Sequence, residues 1–422
     1  MWKLIYNIII SFTLPFFVIF SLMHSKIRKN LCERLFFSTK KDSVKDAIWI
    51  HAASIGEAVI AETFVNYVKS RFNFNQFIIT TNTYYARDLL RKKVDKNIKV
   101  FSLPFDILYS IRRFINGSTF RALVIVETEI WPNLIWEVKK RNIPIIIING
   151  RISDTTLHNY RRLSFFLKSV LPDIDLVLTQ SDDHTDRFKS IGMDQQKIIS
   201  TGNMKYYRDL SALKGIKTEK INIITFGSIK EKELDILINV IKKLNKKFSD
   251  FLIFVAPREL FLVNRIEKEL SLFLRTGRYS DFKKRADNNL DAVIVDTVGD
   301  LLNIYKNSTV AFVGGSLAPY GGQNILEPLF FGTPVIFGSY IKNFKDIAET
   351  IIKEGAGISV KDGDTLYQKI ESVIEDEHLR KKMGDSGRKI IEMQSEVMEK
   401  TINIIFRTIE EYSLKKSVQE KI

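Results

Sequence analysis

The sequence predicts an α/β protein made of two consecutive open domains, each a parallel sheet with helices on both faces, behind an apolar N-terminal anchor. From Ala47 onward short apolar runs alternate regularly with amphipathic segments, which is the signature of strands crossing over through helices. A second series of the same kind starts at Ile221, and the polar stretch Arg208 to Lys220 between the two reads as a linker. The chain of 422 residues, with 45% apolar and 27% charged residues, has the length and composition for two or three domains with their own cores.

The first element is the apolar run Leu4 to Met23, broken only by Asn7, Ser11, Thr13, Pro15 and Ser21. About 20 such residues suffice to cross a bilayer as a helix. Lys26, Arg28, Lys29 and Arg34 follow it and only Lys3 precedes it, so the positive-inside rule keeps everything after it on the cytoplasmic side. A cleaved signal peptide fits poorly, because a basic cluster stands where cleavage would fall. A helix lying in the membrane interface is the alternative that Pro15 and the polar residues leave open. Strands are expected at Ala47–His51, Gln76–Thr81, Lys99–Leu103, Ala122–Val126, Pro144–Ile148 and Leu176–Leu178, with helices around Ala58–Lys69 and Asn133–Arg141. In the second series they are expected at Ile221–Thr225, Phe251–Val255, Ala292–Val295, Thr309–Val313 and Pro334–Phe337. The closing helices, about Leu366 to Glu411, are amphipathic and Lys-rich and read as cover for the domains. Folds of this class bind ligands beyond the carboxyl ends of their strands, so two in series predict a cleft between domains.

Composition narrows the chemistry. The single cysteine, Cys32, allows no intramolecular disulfide, and five scattered histidines give no metal-ligand spacing, so no metal is expected. A net charge of +15 suits polyanionic partners such as anionic lipid or phosphorylated substrates. No zinc-finger, RRM or KH pattern accompanies that charge, and nucleic acid is not expected.

Candidate chemistry sits where strands end. The first strand runs into His51-Ala52-Ala53-Ser54-Ile55-Gly56-Glu57. Ser54 with Glu57 three residues on matches a capping box, the reading that spacing alone favours, and a carboxylate at that edge is also a candidate general base. Glu127 and Glu129 follow the fourth strand directly; they could position hydroxyls or pair with an arginine such as Arg151. In the second series Gly227-Ser228 and Pro257-Arg258 close strands, and a serine with a nearby arginine can hold a phosphate or a base edge. Thr309–Val313 ends in Gly314-Gly315, and Gly321-Gly322-Gln323-Asn324 then opens a helix carrying Glu327 in its first turn. Glycine amides and a helix N-terminus suit a phosphate, and a carboxylate suits ribose hydroxyls. A strand-to-helix turn using glycine for geometry alone is the alternative.

These motifs together resemble the Kdo transferases, the 3-deoxy-D-manno-octulosonic acid transferases of lipopolysaccharide synthesis. The resemblance rests on the Ser54–Glu57 segment, Val126-Glu127-Thr128-Glu129-Ile130-Trp131-Pro132-Asn133, Asn149-Gly150-Arg151, Ala311–Leu317, Gly321–Pro328 and Phe337-Gly338 with Asn343–Ile347, in the family's order. It implies a GT-B glycosyltransferase of two Rossmann-like domains, with an anchor at 1–25, an acceptor domain at 26–207, a linker at 208–220, a donor domain at 221–390 and a helical segment at 391–422. It further implies inverting transfer from CMP-Kdo to a lipid A precursor at the cytoplasmic face of an inner membrane, with no metal or other cofactor. Glu57 would be the base, and Ser228, Arg258, Gly314, Gly315, Gln323, Asn324 and Glu327 would hold the donor. Four positions depart from the family pattern: Lys230 stands in place of a histidine after Ser228, Glu259 replaces the histidine after Pro257-Arg258, Gln323 replaces another histidine, and Tyr320 stands where arginine is frequent. They leave open a GT-B enzyme using another nucleotide sugar. A membrane-anchored polyanion-binding protein without catalysis would explain the charge but not the paired glycines and carboxylates.

Overall fold

The computed structural model describes residues 1–23, 31, 33–35, 44–207, 222–284 and 289–419. The expected linker, Cys32 and the basic residues at 26–29 lie outside the described residues. The chain divides into one compact unit of residues 1–208 and 394–422 and a second of residues 209–393.

The sheet of the first unit has the order β3-β2-β1-β4-β5-β6-β7, all parallel. Its strands are β1 (Ala47–His51), β2 (Phe77–Thr81), β3 (Lys99–Ser102), β4 (Phe120–Val126), β5 (Ile145–Gly150), β6 (Leu176–Thr179) and β7 (Ile198–Ser200). Strands covered on both faces are apolar at nearly every position. Residues of β1 alternate between two cores: Trp49 packs with Phe114 and Phe120 on one face, while Ile48 and Ile50 join Phe64 on the other. The second sheet has the order β10-β11-β9-β8-β12-β13-β14, also all parallel. It comprises β8 (Ile223–Ile229), β9 (Leu252–Pro257), β10 (Thr276–Arg278), β11 (Ala292–Ile294), β12 (Val310–Val313), β13 (Val335–Gly338) and β14 (Gly357–Val360).

Five helices frame the strand ends and the apolar surface of the chain: α1 (Trp2–Met23), α2 (Ile55–Phe72), α3 (Pro132–Lys139), α4 (Leu326–Leu329) and α5 (Glu377–Gln419). α2 starts at the Ser54 cap and carries a buried face into the second of the two cores. α5 is a single helix of 43 residues. In its later part Met398, Ile402, Ile405 and Ile409, spaced along one face, complete the core that holds Phe64 and Ile50. Those residues therefore close the first unit, although the chain reaches them last.

Winding fixes where ligands can go. In the first sheet the chain runs outward from β1 through β2 and β3, then outward again from β4, so the order reverses between β1 and β4. In the second it reverses between β8 and β12. Such reversal points leave a crevice beyond the carboxyl ends of the two strands.

Candidate active site

Glu57 lies at the first reversal point and is 7% exposed. The capping geometry is present: Ser54 Oγ accepts from the Glu57 N–H at 3.3 Å. The carboxylate reaches back to accept from the Ala53 N–H through Oε2 at 2.7 Å. Oε1 accepts from no protein donor among the described residues. The side chain is thus fixed at one oxygen and available at the other.

β4 delivers two more carboxylates beside it. Glu127 has φ 59°, a left-handed conformation that a glutamate adopts only where its surroundings impose it. Burial first, then the Glu57 carboxylate, push the Glu127 carboxyl upward, against Arg151 and Lys205. Glu129 shifts in the same direction for the same two reasons, opposed by the Trp131 and Asn82 hydrogen bonds. Trp131 Nε1 donates to Glu129 Oε2 at 2.8 Å and Asn82 Nδ2 at 3.2 Å, and His51 Nε2 lies 4.0 Å away. His51 is fully buried, with Nδ1 3.1 Å from the Thr80 carbonyl, and burial pushes its pKa down to about 3. A carbonyl only accepts, so Nδ1 carries a proton, and the lowered pKa leaves Nε2 without one at neutral pH. Arg34 donates to the Leu103 carbonyl, and burial brings its guanidinium down to about 10. Arg151 makes no ion pair with Glu127 or Glu129 among the described residues; its backbone instead exchanges hydrogen bonds with the Thr128 hydroxyl.

At the second reversal point the structure corrects the reading of the glycine pair. Gly314 donates its N–H to the Gly227 carbonyl, and a Cβ there would stand 2.6 Å from Ile229 Cα. Gly315 (φ 68°) and Ser316 donate theirs to the carboxylate of Glu233, at 2.6 and 2.8 Å, as does Leu317 at 2.7 Å. Glu233 is fully buried and also accepts from the Lys230 N–H at 3.0 Å. The amides of Gly314 and Gly315, expected to meet a substrate phosphate, are therefore occupied from within the chain. The helix expected after Gly321-Gly322 is the single turn α4, so it presents no extended helix dipole.

Other expected donor contacts remain near one another. Ser228 sits on a bulge at the end of β8 with φ 55°, which turns it out of the strand's alternation. Arg258, after β9, is exposed and makes no ion pair among the described residues. Gln323 packs against Gly315, and Asn324 Nδ2 donates to Glu327 Oε1 at 3.3 Å. Three of the four departures from the family pattern meet: Lys230 pairs with Glu259, its Nζ lies 5.4 Å from the centre of the Tyr320 ring, and Tyr320 Oη accepts from the Lys232 N–H at 3.3 Å. Glu233 escaped the sequence reading because it lies in the run Glu231-Lys232-Glu233, which looks like a solvated charge cluster.

Residues 29–208 match the family described as 3-deoxy-D-manno-octulosonic-acid transferase, and residues 208–390 match glycosyl transferases group 1. A 3-deoxy-D-manno-octulosonic acid transferase of Aquifex aeolicus is 31% identical over 81% of this chain and 90% of its own. A bifunctional glycosyltransferase/methyltransferase of Fusobacterium nucleatum is 33% identical over 88% of this chain, which spans 59% of that relative's length. Among solved structures, MurG of Acinetobacter baumannii superposes with a TM-score of 0.54 over 84% of this chain and 98% of its own, at 14% identity, a likeness of fold alone.

Proposed function

Since the chain belongs to the Kdo transferase family, with the GT-B fold, we propose that it transfers Kdo from CMP-Kdo to a lipid A precursor at the cytoplasmic face of an inner membrane. The observation that carries the mechanism is Glu57, pinned through Oε2 and open at Oε1 beside two carboxylates at a strand-reversal point. Oε1 takes the proton from an acceptor hydroxyl as that oxygen bonds to the anomeric carbon. The bond from that carbon to the CMP phosphate oxygen breaks on the opposite face, which inverts the centre. Burial and the Glu57 carboxylate make Glu127 and Glu129 bind a proton more readily than free carboxylates.

Donor binding falls to the second unit. The exposed guanidinium of Arg258 and the Gln323 amide offset charge growing on the departing phosphate. Glu327, steadied by Asn324, accepts from the ribose hydroxyls, and Ser228 adds a hydroxyl contact. The Lys230, Glu259 and Tyr320 cluster favours a second reading, a different nucleotide sugar, because three altered side chains have settled on one another at the donor end.

The deciding experiment incubates the full chain with a tetra-acylated lipid A precursor and, in parallel, CMP-Kdo or other nucleotide sugars. Mass analysis should show Kdo added from CMP-Kdo alone. Folded protein that transfers nothing from CMP-Kdo would sink the first reading, and transfer from another donor would establish the second.

A further inference from the structure

α1 has the length and apolarity of a membrane-crossing helix. One of its faces, however, is already engaged by the first unit. Trp2 packs on Phe165 with ring centres 5.0 Å apart, and Lys3 Nζ lies 3.8 Å from Glu137. The Tyr6 hydroxyl donates to Asp106 Oδ2 at 2.8 Å, and the amides of Asn7 and Asn133 bond reciprocally at 2.9 and 3.0 Å. Asn133 and Glu137 are almost wholly buried, and Asp106 also accepts the N–H groups of Asn133 and Leu134. One turn further on, Ile10, Thr13 and Leu14 wall a cavity of about 360 Å³ together with Phe105, Ile107 and Trp131. Peeling α1 away would break the Tyr6–Asp106 hydrogen bond and the Asn7–Asn133 pair, each worth about 0.5–1.5 kcal/mol, together with the ring packing of Trp2 and Tyr6.

Length then decides how α1 can meet a membrane. Residues 15–23, beyond the last wall residue, span only about 14 Å as a helix against a hydrocarbon core of about 30 Å. The opposite face is apolar and exposed among the described residues: Leu4, Ile8, Ile9, Phe12, Phe16, Ile19 and Met23 are exposed, and Leu163 and Phe165 of the unit extend the patch. Arg161 and Arg162, both exposed, directly precede Leu163 of the patch in the chain and supply positive charge that an anionic leaflet attracts.

We propose that α1 is a single-leaflet mount: it seats this face in the hydrocarbon of one anionic leaflet, stays fastened to the first unit, and does not cross the bilayer. The inference rests on the membrane attachment in the function proposed above and not on the identity of the sugar. It predicts that the N-terminus stays on the same side of the membrane as the rest of the chain, whereas a crossing helix would carry it to the far side.

The test adds purified full-length protein, bearing a protease site ahead of Trp2, to preformed vesicles of phosphatidylethanolamine and phosphatidylglycerol. The protein should bind, and external protease should still remove the tag completely. Protection of the tag in bound protein would overturn the proposal. So would failure to bind with the patch covered by a second copy, seen as dimers in sedimentation. The double variant Phe12→Glu/Phe16→Glu should lower vesicle partitioning at least tenfold; unchanged partitioning would remove this face from the contact. Sugar transfer to the acceptor in detergent is read alongside, so that loss of mounting and loss of the proposed reaction are told apart.

Discussion

At the residue scale, the two oxygens of Glu57 differ: Oε2 accepts from the Ala53 N–H, and Oε1 is the one assigned to the proposed base role. Because an amide oxygen can keep the hydrogen bond from the Ala53 N–H, Glu57→Gln keeps the fold, abolishes turnover and leaves CMP affinity in a calorimetric titration nearly unchanged; normal turnover would remove it as the base. His51 shows what burial does to a neutral ring. The unfolded chain takes up this proton near pH 6.5, whereas the folded protein resists it until about pH 3, so the folded state binds fewer protons across that window. His51 therefore withdraws stability as pH falls below 6.5, at a limiting rate of about 1.4 kcal/mol per unit, and leaves it untouched above. Its ring resonances should stay flat in an NMR titration from pH 8 to 5; a midpoint near 6.5 would contradict its neutrality. Ser228 sits in a conformation that favours glycine, so Ser228→Gly should raise stability by up to about 1 kcal/mol while weakening CMP binding. Unchanged CMP affinity would mean its hydroxyl touches no nucleotide. The capping spacing and the rim position of Glu127 and Glu129 were legible in the chain. The Glu129 contacts to Asn82 and Trp131 were not, because Asn82 lies 47 residues away on another strand's end.

At the scale of elements, the central strands were readable because burial on both faces makes them continuous apolar runs. The edge strands β7, β10 and β14 were not: they are three or four residues long and only partly covered, which leaves no such run. The turn after β12 misled for a more instructive reason. Its glycines have the look of a phosphate cradle, and an anion is indeed held there, but the anion is Glu233. Tethered by the chain, that carboxylate has an effective concentration of millimolar or more, so free phosphate competes poorly. Glu233→Ala strands four backbone donors and should cost roughly 3 kcal/mol or more, at about 1–3 kcal/mol per unpaired buried group. A urea midpoint within error of the parent's would show that the cradle tolerates an empty centre.

At the scale of the molecule, two sheets wound in the same sense each bring two strand ends to a reversal point, and the residues expected to carry chemistry gather at those ends. Alternation of apolar runs made this duplication legible. What it could not reveal is that the chain returns to its first unit: an amphipathic, Lys-rich pattern specifies cover in general, whereas the later part of α5 completes one particular core. Removing residues 394–422 leaves the family's motifs in place yet should give insoluble protein, because Met398, Ile402, Ile405 and Ile409 no longer cover that face. A soluble, cooperatively unfolding truncation would show the cover to be dispensable.

That return also sets a clock on biosynthesis. Residues 209–393 must be made before the closing face of α5 exists, and at about 5–20 residues per second this takes roughly 10–40 s. Through that interval the nascent first unit carries an open apolar face in addition to the exposed apolar side chains of α1. The seal is made only after the second unit, so the yield of folded protein should depend on chaperones that hold the first unit until the later part of α5 arrives.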